Sequence, residues 1–190
     1  MTTKKLDKRQ KREIALTILK TLGMVGLVAG VIVFPGLAVI IQWFEKKTGY
    51  SSRQVRHSLY NMRKSKHIKL QPSKNGIKVI LTPKGRRHLL TISLRELSVD
   101  KQSKWDGLWR IVMFDIPEQL RTTRDMIRHH LHRLGFEQMH KSVFINPYPC
   151  VRAVDFLRNY YELPAGSLYL FESRVMEGEK ELKKAFQITS

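Results

Sequence analysis

Asp115 closes the apolar run Trp109-Arg110-Ile111-Val112-Met113-Phe114-Asp115-Ile116-Pro117, in a chain of 190 residues with a formal net charge of +19. A carboxylate at the mouth of a buried strand has two kinds of chemistry open to it. It can help hold a divalent cation such as Mg²⁺, which activates water for phosphodiester hydrolysis. It can instead cap the helix that starts near Glu118, or pair with Arg121 or Arg124. The other candidate set is basic and polar: Ser52, Arg53, Arg56, His57, Tyr60, Asn61 and Lys64, followed by Lys69, Lys74 and Lys78. Lys and Arg grip phosphates regardless of sequence and with strong salt dependence. Side chains such as Arg53, Arg56 and Asn61 also have the reach and donor pattern to read base edges.

The basic set needs a scaffold, and the sequence supplies its parts in order. Thr48-Gly49-Tyr50 reads as a turn with Gly at a helix C-terminus. Ser51-x-x-Gln54 is a capping-box pattern that opens a new helix, in which Val55, Leu59 and Met62 form a narrow apolar stripe. Ile68 and Leu70 alternate with Lys69, Asn75-Gly76 signals a hairpin turn, and Ile77, Val79 and Leu81 resume the alternation. Thr82-Pro83 places an N-cap before Pro at the first helical position, predicting a helix to about Leu97. Helix, turn, capped helix and hairpin together predict a winged helix-turn-helix with a helical linker over residues 1–97.

Residues 21–44 carry no charge, and 24 such residues are long enough to cross a bilayer. The basic cluster from Lys4 to Arg12 precedes them, as a single-pass membrane anchor would require. Pro35-Gly36 interrupts the run, and Leu37, Ile40, Ile41 and Phe44 then fall on one face of a fresh helix. The preferred reading is therefore two core helices broken at Pro35. The length is wrong for a signal-peptide core.

Charge separates the two halves. Residues 1–100 hold 21 Lys+Arg against 5 Asp+Glu, and residues 101–190 hold 14 against 11. An anionic partner, nucleic acid or a lipid surface, is expected for the first half. Cys150, the sole cysteine, excludes an internal disulfide and a thiolate zinc site, and fits a cytoplasmic compartment.

Beyond a polar linker, residues 105–190 read as strand 108–115, helix 118–134, strand or hairpin 136–146, helix 150–161 and strand 167–172. Arg121, Arg124, Arg128 and Arg133 stud the first helix, whose apolar side is Leu120, Ile127, Leu131 and Leu134. This order predicts a ferredoxin-like β-α-β-β-α-β domain, and an α+β fold for the whole chain. His129, His130 and His132, with His140 nearby, lack a carboxylate at ligand spacing and read as a solvated basic face. Trp105, Trp109, Tyr148, Tyr160, Tyr161 and Tyr169 read as core or dimer packing rather than base-stacking platforms. Ser142 has no His–Asp relay, and no glycine-rich phosphate loop is present.

The set Trp109-Arg110, Phe114-Asp115-Ile116-Pro117-Glu118, Arg121, Arg124, Leu134-Gly135-Phe136, Lys141-Ser142-Val143-Phe144 and Pro147 resembles two related groups. One is the small CRISPR-associated nuclease of spacer acquisition, a ferredoxin-like homodimer. The other is the PaaX-type transcriptional repressors, which place such a domain after a winged helix. The domain order resembles the PaaX type over most of the chain. That resemblance implies a homodimer binding double-stranded DNA as a repressor, with the second domain mediating dimerisation. The nuclease resemblance implies the alternative: an Asp115 pair across the dimer axis holding Mg²⁺ for endonuclease chemistry.

Overall fold

The structure is a computed structural model that describes residues 13–21 and 31–188, and it divides into two compact units, Met1–Ser93 and Leu94–Ser190. In the first unit residues 13–21 are helical (α1), with Ile14, Ile18 and Leu19 buried. Then follow β1 (Val31–Phe34), α2 (Leu37–Thr48), α3 (Ser52–Lys64), β2 (Ile68–Ser73), β3 (Gly76–Leu81) and α4 (Pro83–Glu96), and the boundary between units falls inside α4.

The strands form an antiparallel sheet of order β1-β3-β2. β1 corrects the sequence reading. Residues 31–34 pair with Ile77–Ile80 of β3 and are not the end of a helix. A run of Val, Ile, Val and Phe ending at Pro35 has strand propensity, but an uncharged run conceals its period. A continuous helix over 21–44 is therefore not formed, and among the described residues no helix is long and apolar enough to cross a membrane. Residues 22–30 lie outside the described part. The helix expected after Pro35 is present as α2, with Ile40, Ile41 and Phe44 buried, although Leu37 in its first turn is 43% exposed.

α2 ends as expected. Lys46 and Lys47 occupy its last turn, where cations oppose the helix dipole, and Gly49 at φ 72° donates its N–H to Glu45 O at 2.9 Å. α3 begins with the Ser51 N–H donating to Gln54 Oε1 at 2.9 Å. Val55, Leu59 and Met62 of α3 join Ile18, Phe34, Ile40, Phe44, Ile68 and Val79 in one core. Thr82 caps α4, accepting the Gly85 N–H at 3.0 Å.

The hairpin turn comes one residue earlier than the sequence indicated. Ser73 pairs with Gly76, so Lys74-Asn75 is the loop and Gly76 belongs to β3. Gly76 has φ 122°, and a Cβ there would stand 2.0 Å from Phe34 O. Glycine is needed for the close approach of β1 as well as for the bend.

The second unit contains β4 (Trp109–Phe114), a 3-10 turn (Glu118–Leu120), α5 (Arg121–Arg133), β5 (Glu137–His140), β6 (Val143–Asn146), α6 (Val151–Tyr160), β7 (Leu168–Ser173) and α7 (Glu179–Ala185). The sheet order is β5-β6-β4-β7, antiparallel throughout. This is a β-α-β-β-α-β arrangement in an α+β chain. Ile127 and Leu131 of α5 and Ala153, Val154 and Leu157 of α6 pack on Val112, Phe114, Phe144 and Leu168. Alternate β4 residues point the other way, where Trp109 and Ile145 meet Leu182 of α7. α7 is an element the sequence reading did not anticipate. Leu120 is 41% exposed because it lies in the 3-10 turn, off the α5 stripe that was expected to include it.

Candidate nucleic-acid interface

Burying Val55, Ser58, Leu59 and Met62 turns the opposite side of α3 outward. Arg53, Arg56, His57, Tyr60, Asn61 and Lys64 are all exposed. Their spacing, near three and four residues, makes them neighbours on the helix surface. Ser52 differs. Its N–H donates to Glu45 Oε1 at 3.2 Å and its hydroxyl donates to Glu45 Oε2, so it ties α3 to α2. Glu45 is thereby engaged at the start of α3.

The hairpin adds cations from a second element. Lys69 pairs across the strands with Ile80, and Gln71 with Lys78. Ile68, Leu70, Ile77, Val79 and Leu81 belong to the core, so by alternation Lys69 and Lys78 share the opposite face. Lys69 and Lys74 are exposed, Lys74 in the loop itself, while Lys78 is half-buried. These positions suit electrostatic contact with phosphates, and the arginines and Asn61 of α3 suit contact with bases.

In the second unit, sequence reasoning missed the most heavily bonded side chain. Arg110 is 4% exposed, yet its guanidinium donates to both Asp106 carboxylate oxygens at 2.8 and 2.5 Å. It also donates to Leu108 O at 2.9 Å, Pro147 O at 2.8 Å and Glu172 Oε1 at 3.3 Å. A charged residue in an apolar strand was the available signal, because such a residue survives burial only when paired. The hydrogen bond from Arg110 holds the Asp106 carboxyl below its ordinary range.

The histidines separate. His129, His132 and His140 are exposed, but His130 is 6% exposed and its Nε2 lies 2.9 Å from the Tyr161 hydroxyl. The expected solvated face therefore excludes His130, which shares the buried α5 stripe with Ile127 and Leu131. Burial, helped by the Arg133 and His129 charges, lowers its pKa. Burial also pushes the Cys150 thiol up to about 12, which removes it as a nucleophile at neutral pH.

Residues 102–185 match the family described as the PaaX protein central Cas2-like domain. The second unit carries the Cas2-like domain of the PaaX family. No curated protein matches the chain. Among solved structures, an uncharacterized protein, Rv0674 from Mycobacterium tuberculosis, aligns at 16% identity and a TM-score of 0.34, covering 89% of this chain and 67% of that one.

Within this PaaX-type domain Asp115 is exposed just past β4, and its N–H donates to Ser167 O at 2.9 Å. Among the described residues its carboxylate has no hydrogen bond or ion pair. The expected partner Arg124 instead pairs with Glu118 at 2.5 Å. Arg128 pairs with Asp125 at 2.8 Å and lies over the Phe114 ring, 5.8 Å from its centroid. No group of three or more His, Cys, Asp or Glu among the described residues is placed to hold a metal ion.

Proposed function

We propose that this protein is a PaaX-type transcriptional repressor that binds double-stranded DNA as a homodimer. In this reading the first unit is a winged helix-turn-helix, with α3 as recognition helix and the β2–β3 hairpin as wing. The element order α1-β1-α2-α3-β2-β3 supports it. The observation that carries it is the exposed row Arg53, Arg56, His57, Tyr60, Asn61 and Lys64, backed by a buried stripe that fixes its orientation. The Cas2-like domain of the second unit would join two copies, so that two recognition helices meet an inverted-repeat site.

Binding to duplex DNA in a gel-shift or anisotropy assay tests this. Arg53→Ala together with Arg56→Ala should weaken binding by roughly tenfold or more, at about 1–3 kcal/mol for each base-reading side chain removed. Unchanged affinity in that variant would show that α3 is not the reading element. Sedimentation of the full chain should give a dimer mass, and a monomer at micromolar concentration would remove the two-fold arrangement.

A further inference from the structure

We propose that Lys66, His67, Lys84 and His88 form a second phosphate-binding cluster on the first unit, one that takes up a proton as it engages the nucleic-acid backbone. The proposal rests on the DNA-binding reading and adds residues outside the α3 row and the wing lysines. Its geometry comes from the way α4 is pressed against the start of β2. The Thr82 hydroxyl lies 2.6 Å from Lys66 O and 3.0 Å from His67 O. The approach is so close that a Cβ on Gly85 would fall 2.0 Å from His67 O. This clamp brings the His67 and His88 rings into a parallel stack, with centroids 4.8 Å apart and planes 12° apart.

Lys84 and His88 are four residues apart on α4, hence on one helix face, and both are exposed. Lys66, also exposed, is held at φ 61°, a left-handed conformation that a lysine seldom adopts. This left-handed residue ends α3, with the Lys66 N–H donating to Arg63 O at 3.0 Å and the His67 N–H to Met62 O at 2.9 Å, and so fixes where the chain leaves the helix.

Partial burial, with His88 and Lys84 acting on it as well, lowers the pKa of His67. From α3, Met62 O accepts the His67 N–H at 2.9 Å, a neutral contact. The Ser65 hydroxyl lies 2.8 Å from Asn61 O, to which it donates, leaving its lone pair for the Nδ1–H of His67 at 2.9 Å. Neutral His67 then keeps its open nitrogen at Nε2, and protonation there creates a new donor. Partly buried beside His88 and Lys84, His67 resists protonation until an anion arrives. A phosphate supplies that negative charge, so binding and proton uptake are linked. The described part of this unit holds just two carboxylates, Glu13 and Glu45, and Glu45 is engaged with Ser52.

The test uses the full chain and a fluorescein-labelled duplex, with anisotropy read at about pH 6 and about pH 8 at fixed ionic strength. The wild type should bind at least about fivefold more tightly at the lower pH. H88Q, at an exposed position, and the double variant H67Q/H88Q should flatten that response to within about twofold. H57Q, on α3, should keep the response whatever it does to overall affinity. K84Q should lower the slope of log affinity against log salt by about one. A response that survives in H88Q and H67Q/H88Q, or that disappears in H57Q, overturns the cluster and leaves DNA binding by α3 standing. So does a wild type that binds equally at both pH values. A wild type that binds no duplex at either pH overturns the DNA reading itself, and the cluster with it.

Discussion

Arg110 shows how a single side chain departs from what its neighbours in sequence lead one to expect. It lies in an apolar strand, and the fold surrounds it with two carboxylates and two carbonyls. Arg110→Ala would leave those acceptors without their donor. The expected loss is about 2–3 kcal/mol in urea denaturation, below the figure for fully buried pairs because Asp106 is partly exposed. The Asp106 carboxyl is held low in the folded state, so its stabilisation is complete above about pH 4 and disappears as pH falls through the depressed value. His130 acts in a higher window. Its folded pKa is also lowered, so the unfolded chain binds the proton first, and stability falls once pH drops below about 6.5. Wild-type thermal melts should therefore show two acid-side losses, with the lower one absent in Asp106→Asn. At Asp115 the expectation is the reverse of a catalytic one. Asp115→Ala should leave duplex affinity within about twofold, given that it lies outside the basic surfaces. A Mg²⁺-dependent cleavage that this change abolished would instead support the nuclease alternative.

Among the elements, α2, α3, α4 and the hairpin were legible because local signals agreed with the buried pattern. The Ser51–Gln54 cap, the Gly49 terminus and the Val55-Leu59-Met62 stripe all point to one helix placement. β1 was not legible, since its strand state depends on pairing with β3, more than forty residues later. Local composition cannot reveal such a partner when no polar residue marks the alternation. The Gly76 position was misread for a related reason. Its glycine serves the close approach of Phe34 across the sheet, which a hairpin signal alone does not contain. Gly76→Ala should therefore cost about 3 kcal/mol and lower the melting temperature, far more than an ordinary surface change. A loss below about 0.5 kcal/mol would mean that β1 does not approach β3 as closely as described. The exposed α3 row followed from its helix assignment, but the His67–His88 stack did not. Those two residues are far apart in sequence and meet only because α4 is clamped to β2.

On the scale of the whole molecule, charge and fold divide the labour in the same way. The basic excess falls in residues 1–100, whereas the nearly balanced remainder contains the PaaX-type Cas2-like domain. Each unit has its own core, so the proposed DNA-reading and pairing roles can be tested by separate variants. The salt dependence of duplex binding by the full chain tests the central claim most directly. The proposed phosphate contacts from the α3 row and the hairpin lysines predict that log affinity falls linearly with log salt, with a slope of about −4 or steeper. The Arg53→Ala, Arg56→Ala double variant should reduce both the affinity and the magnitude of that slope. A slope near zero, or one unchanged in the double variant, would contradict the account.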